Sequence, residues 1–181
     1  MHKVQPKPKL LRRFLLRILC IFEKELEDFS EFDVAHVGSG LLALNVFISI
    51  ITGRKKFRYL HFTSKIVDPE NLVINGNKSL DFKKSLATSP CLYLQCHNYI
   101  IVHCSVLLGP GVKLISANHS VEGNRSDHSV SEPIKLAAGV WIGAGGIILP
   151  GVAVGTKSTV GAGSIVVKNV KPEVVVVGNP A

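Results

Sequence analysis

Along the C-terminal third of the chain, aliphatic residues recur at every sixth position: Leu136, Ile142, Ile148, Val154, Val160 and Val166. An α-helix returns to its buried face every 3.6 residues and a β-strand every 2, so a sustained period of six belongs to neither. It matches a parallel β-solenoid, in which a six-residue unit forms one flat face and three units close a triangular coil. Four positions after each aliphatic stands a small or slim residue, namely Val140, Gly146, Val152, Ser158, Ser164 and Val170, as a narrow interior near a corner requires. The glycines of IGAG (142–145), PG (150–151), VG (154–155) and GAG (161–163) supply the bends. Several of these bends are expected to be left-handed, a conformation cheap only for glycine or asparagine.

The same register runs upstream through Leu114, Leu108 and Val102, with Val112 and Val106 at the slim positions, and more faintly through Ile100, Cys96 and Leu94. Between Leu114 and Leu136 the step is 22, three hexads plus four. The solenoid therefore has to bulge over residues 116–135, SANHSVEGNRSDHSVSEPIK, a polar stretch that carries His119 and His128. Loops projected from a rigid scaffold are where chemistry concentrates.

Nearer the N-terminus the pattern changes. Leu11, Leu15, Ile18, Leu19 and Phe22 recur at helical spacing over Leu10–Phe22, with Arg13 and Arg17 one turn apart off that stripe. An interfacial membrane helix and a helix packed on the end of the solenoid both fit this composition. Residues 34–53 run for 20 positions without a formal charge, long enough to span a bilayer. His36, Asn45, the glycines and the hydroxyls dilute that stretch, so the expectation is a membrane-associated or end-capping helix rather than a span. The organisation expected is a helical, basic and apolar segment over 1–59 followed by the solenoid over 60–181.

With 181 residues and 46% hydrophobic content, the chain is large and apolar enough for one ordinary domain plus an appendage. The net charge of +8 is concentrated in Lys3, Lys7, Lys9, Arg12, Arg13 and Arg17 and in the cluster Arg54, Lys55, Lys56 and Arg58. Neither cluster has the helix-turn-helix or zinc-finger spacing, or the interleaved aromatics, of a nucleic-acid binder. Anionic lipid or a phosphorylated substrate is the better partner, and no nucleic acid is expected. Cys20, Cys91, Cys96 and Cys104 lack metal-ligand spacing and the density of a disulfide scaffold. They read as free thiols in a reducing, cytoplasmic setting, at the inner face of the membrane if the N-terminal segment binds it. Cys96 falls on an inward hexad position and reads as packing.

The runs KLISANHS (113–120), VWIGAGGIILPGVAVG (140–155) and VGAGSIVVKNVKPEVVVVGNPA (160–181), in that order, resemble the hexapeptide-repeat acetyltransferases of the maltose, galactoside and serine acetyltransferase group. HFTSKI (61–66) also has near counterparts in the branch that acetylates sugars and surface glycans. The resemblance covers residues 60–181 and implies a mainly β fold, a left-handed parallel β-helix, which is an exception to right-handed crossover. It further implies a homotrimer with active sites between subunits, acetyl-CoA as acyl donor, and O-acetylation of a small-molecule or lipid-linked sugar acceptor.

By the same resemblance, His119 is the catalytic base, and the acetyl-CoA contacts fall on Ala144, Ala162, Val167 and Lys168, with Trp141 near the pantetheine arm. The family often has a polar residue just after WIG; Ala144, Gly145 and Gly146 offer only backbone. A thioester contact would then be an amide at Gly143 or Ala144. Lys168 and Lys171 are the cations expected to meet the cofactor phosphates. Gln95 and Asn98, together with Asn118 and His128 of the loop, are the acceptor-side candidates, and no metal is implied.

The chemistry suits these residues. Acetyl transfer to a hydroxyl removes the hydroxyl proton as oxygen attacks, a task for a neutral imidazole near pH 7. No serine or cysteine stands beside a histidine in a nucleophile motif, so direct transfer without an acyl-enzyme is expected. Two alternatives remain: a non-catalytic trimeric scaffold, and a zinc hydratase of the carbonic anhydrase type, drawing three ligands from His97, His103, His119 and His128.

Overall fold

The computed structural model describes residues 37–119 and 128–181; the helix expected over Leu10–Phe22 and residues 120–127 of the projecting loop lie outside the described residues. The chain divides into two units, Met1–Gly40 and Leu41–Ala181, and the β-helix belongs to the second.

Three parallel sheets form the walls of a left-handed, triangular prism. Sheet A stacks β1 (Lys65–Val67), β3 (Tyr93–Gln95), β6 (Lys113–Ile115), β9 (Ile147–Ile148) and β12 (Ile165–Val166). Sheet B stacks β2 (Leu72–Asn75), β4 (Ile100–His103), β7 (Ile134–Leu136) and β10 (Ala153–Val154). Sheet C stacks β5 (Leu107–Leu108), β8 (Trp141–Ile142), β11 (Thr159–Val160) and β13 (Val175–Val176). Trp141 lies beside Thr159, Ile147 beside Ile165 and Lys135 beside Ala153, each a step of 18 residues and so one coil.

The period of six is the inward face of these strands. Every hexad aliphatic from Leu136 to Val166 is buried, as are Leu94, Cys96, Ile100, Val102, Leu108 and Leu114 upstream. At Gly146 a Cβ would come within 2.7 Å of Ile142 Cγ2, so the corner admits no side chain there. The slim serines bring their own partners inside: Ser158 donates to Lys171 O at 2.6 Å, and Ser164 Oγ accepts from Gly178 N at 3.1 Å. Left-handed backbone recurs at every sixth position, at Gly139, Gly145, Gly151 and Gly163, with Lys157 (φ 56°) taking the place of glycine in the series.

The N-terminal end of the prism departs from the repeat. After β1 and β2 the third face of that coil is not a strand but a two-turn helix, α2 (Asp81–Thr88), which buries Phe82, Leu86 and Ala87. Ser85 Oγ accepts from Leu108 N at 3.1 Å and Ser89 Oγ donates to Leu108 O at 2.8 Å, so side-chain hydroxyls satisfy the strand edge of sheet C. Within the uncharged stretch 34–53 the described helix is α1 (Ser39–Ile51). It buries Leu42 and Val46, and among the described residues no helix is long and apolar enough to cross a membrane.

Candidate active site

The four-residue slip between Leu114 and Leu136 falls at the edge where sheet A turns into sheet B. β6 ends at Ile115, β7 resumes at Ile134, and the two legs of the loop are tied together at its base. His119 and His128 face each other across an antiparallel bridge, with Ser129 N donating to Asn118 O at 2.8 Å. Asn98 fixes both legs: its Nδ2 donates to Ser116 O (2.9 Å), Ser129 O (3.1 Å) and Ser131 Oγ (2.9 Å), while its N–H donates to Ser116 Oγ. Gln95 Oε1 accepts from Ala117 N at 3.2 Å. Two of the acceptor-side candidates thus spend their polar atoms on holding the loop that presents the histidines.

The histidines form a row. The His119 and His128 rings lie 5.0 Å apart between centroids, and His128 stacks on His97 at 3.7 Å with an interplanar angle of 21°. His97 Nδ1 donates to Asp68 Oδ2 at 2.5 Å. His97 thus stands between a carboxylate and the ring that pairs with His119. The sequence singled out His97 only as one of several metal-ligand candidates; its link to Asp68, 29 positions away, leaves no local signature. Among the described residues no three His, Cys, Asp or Glu side chains converge as metal ligands.

Beneath this cluster Cys96 is fully buried, and burial first, then the nearby Asp68 charge, push its thiol up to about 12. A thiol held protonated in this way is a packing group, not a nucleophile.

The acetyl-CoA candidates occupy two edges of the prism. Val167 and Lys168 are exposed on the edge between sheets A and B, two coils beyond the loop-bearing one. Ala144 and Ala162 are exposed on the edge between sheets C and A, stacked one coil apart, and Trp141 stands on the outer face of sheet C, 52% exposed. At that second edge the coils approach closely: a Cβ on Gly143 would lie 2.7 Å from Ala162 N, and one on Gly109 would lie 2.7 Å from Ala144 N. Gly143 N–H already donates to Val160 O at 2.8 Å. No acceptor among the described residues takes the N–H of Ala144 or of Ala162. Of the two amides expected near the thioester, Ala144 is therefore the one without an intrachain acceptor, and its nitrogen lies against Gly109 of the neighbouring coil. Within one chain His119 and the Ala144–Ala162 pair stand on different edges.

No family model matches the chain. It is 34% identical over 107 residues to the galactoside O-acetyltransferase of Lactococcus lactis, covering 58% of this chain and 52% of that protein. It is 42% identical over 78 residues to the galactoside O-acetyltransferase of Escherichia coli, covering 42% of this chain and 38% of that one. The chain thus spans about half the length, or less, of these relatives. In three dimensions it is similar to an N-acyltransferase from Bacillus cereus solved with dTDP and coenzyme A, at 18% identity and a TM-score of 0.51, covering 67% of this chain and 76% of that one. At that identity the likeness is one of fold.

Proposed function

From the premise that this β-helix is of the hexapeptide-repeat acetyltransferase type, we propose that the chain is an O-acetyltransferase. It moves the acetyl group of acetyl-CoA to a hydroxyl of a sugar or surface-glycan precursor. The observation that carries this reading is the placement of His119 at the tied base of a loop, on a scaffold where the Ala144 and Ala162 amides of another edge have no intrachain acceptor among the described residues.

In the proposed reaction His119 takes the acceptor hydroxyl proton as that oxygen attacks the thioester carbon. The C–O bond forms, the C–S bond breaks, and the imidazolium returns its proton to the departing thiolate. The developing negative charge on the carbonyl oxygen would meet the Ala144 N–H, with Ala162 N–H, Trp141, Val167 and Lys168 along the donor and Lys171 as a further cation toward its phosphates. Because His119 and the alanine amides occupy different edges of one chain, a homotrimer with each site shared between neighbouring subunits would bring the two sets together. Asn118 and His128, beside His119, are the acceptor-side residues in this reading. The free thiols Cys91, Cys96 and Cys104 support a cytoplasmic setting, where acetyl-CoA is available.

The test is release of free thiol from acetyl-CoA by the purified full chain against a panel of soluble and lipid-linked sugar acceptors. Turnover that disappears in His119→Ala is the expected result. Absence of acetyl-CoA binding by calorimetry would instead favour the scaffold.

A further inference from the structure

The helix Ser39–Ile51 is attached to the protein by the wrong side for an ordinary amphipathic helix. Its buried face includes Asn45 and Ser49, each with no exposed surface, alongside Leu42 and Val46. Asn45 acts as a bolt: its Nδ2 donates to Tyr59 O and Ala87 O, both at 3.0 Å, and its Oδ1 accepts from Phe62 N at 3.0 Å. The face left outward is apolar. Leu44, Phe47, Ile50 and Ile51 are 42%, 58%, 55% and 65% exposed, and positions 44, 47 and 51 fall on one side of the helix. A water-facing surface gains nothing from four such side chains within eight residues.

Directly after this helix comes a basic turn. Arg54 is part of the frame, donating to Leu60 O and Ser64 O at 3.2 Å. Lys55 and Lys56 are exposed, and Lys56 makes only a solvent-exposed 3.6 Å contact with Glu70. From Ser39 to Arg58 there is no acidic residue. Large apolar side chains bordered by lysines are what the headgroup region of an anionic bilayer accommodates. A second copy of the chain docked on this face would set one basic rim against another.

We infer that the outward face of Ser39–Ile51, with Lys55 and Lys56, is a docking surface for an anionic lipid bilayer, which it enters without crossing. This adds a membrane location to the proposed cytoplasmic setting and does not depend on the acetyl-transfer reading.

The test is co-sedimentation of the full chain with vesicles of phosphatidylcholine alone and with added phosphatidylglycerol. The wild type is expected to bind the anionic vesicles, and to bind less as salt is raised. Phe47→Glu combined with Ile50→Glu should lower the bound fraction about tenfold or more, and Lys55→Ala about fivefold. Phe47→Ser with Ile51→Ser serves as the uncharged counterpart, and far-UV circular dichroism checks that each variant is folded. Absence of wild-type binding overturns the proposal. So does wild-type-like binding by the folded double variants, which would move the lipid contact to another segment such as residues 1–22. A double variant that changes the oligomeric mass also overturns it, by showing that another copy of the chain covers the face. None of these readouts uses acetyl transfer, so the failure of either proposal is visible separately from the other.

Discussion

The edge between sheets A and B and the edge between sheets C and A are made from the same repeat, yet they are built by opposite means. At the first, the period slips and the chain spends side chains: Asn98 bonds to both legs of the loop, His119 faces His128, and His97 is held by Asp68. At the second, the period holds and the chain removes side chains, stacking Gly109 under Ala144 and Gly143 under Ala162 so tightly that a Cβ would fall 2.7 Å from the next amide. A rigid, side-chain-free wall can present backbone donors but no group that titrates. A proton acceptor has to come from where the repeat is broken, and that is where His119 stands.

The largest effect that tests this division is at the broken edge. His119→Ala should lower turnover about 10²- to 10⁴-fold, with an unchanged melting temperature, because the side chain sits on a loop and not in the core. The measurement is steady-state thiol release beside a thermal melt, and near-wild-type turnover would remove the histidine from the chemistry. Asn98→Ala should act next most strongly. It leaves Ser116 O and Ser129 O without their shared donor, loosens the two legs together, and lowers kcat about 10- to 100-fold through misplacement of the base. A loss confined to KM for the acceptor would make Asn98 a substrate contact rather than the fastening of the loop.

At the unbroken edge the expected effect is on the donor. Gly143→Ala drives a Cβ into the Ala162 backbone and should raise KM for acetyl-CoA about tenfold, the equivalent of about 1.4 kcal/mol. Gly155→Ala provides the control. Its Cβ would meet Pro172 N at 2.4 Å, at the third edge, between sheets B and C. Both substitutions should cost about 1–3 kcal/mol of stability by overpacking, measurable by denaturant titration, and only the first should alter KM for acetyl-CoA. Equal effects on KM would mean that the second edge has no special relation to the donor.

The regular part of the molecule was readable in advance because a hexad repeat is a local signal. Each aliphatic from Leu136 to Val166 predicts its own burial, and Leu114 to Leu136 locates the bulge by arithmetic alone. What could not be read depends on contacts distant in sequence or on patterns too short to establish a period. The two-turn helix Asp81–Thr88 offers only Phe82 and Leu86 as a stripe, and its fit depends on Ser85 and Ser89 meeting the edge of sheet C at Leu108. The Asp68 to His97 contact and the three acceptors of Asn98 are likewise tertiary. Cys96 was legible as packing from its hexad position, whereas the push of its thiol up to about 12 needed the burial and the Asp68 charge to be seen together.

The smallest effect concerns how the left-handed corners are made. Lys157 holds φ 56° at a position in the six-residue series where Gly139, Gly145, Gly151 and Gly163 otherwise stand. For a residue with a Cβ this conformation costs about 1–2 kcal/mol. Lys157→Gly removes that strain, keeps the backbone bond from residue 157 to Ala138 O, and loses only the 3.7 Å pair with Glu173 between side chains that are 72% and 71% exposed. Such a pair contributes little, and the greater freedom of glycine in the unfolded chain takes back about 0.4–1 kcal/mol. A net gain of about 0.5 kcal/mol should raise the melting temperature by about 1–2 °C. Gly163→Ala is the reverse experiment: its φ is +70° and no atom lies within 4 Å of the added Cβ, so any loss of stability is backbone strain alone. If Lys157→Gly lowers the melting temperature while Gly163→Ala also does, the lysine is held at its corner by interactions that the strain argument omits.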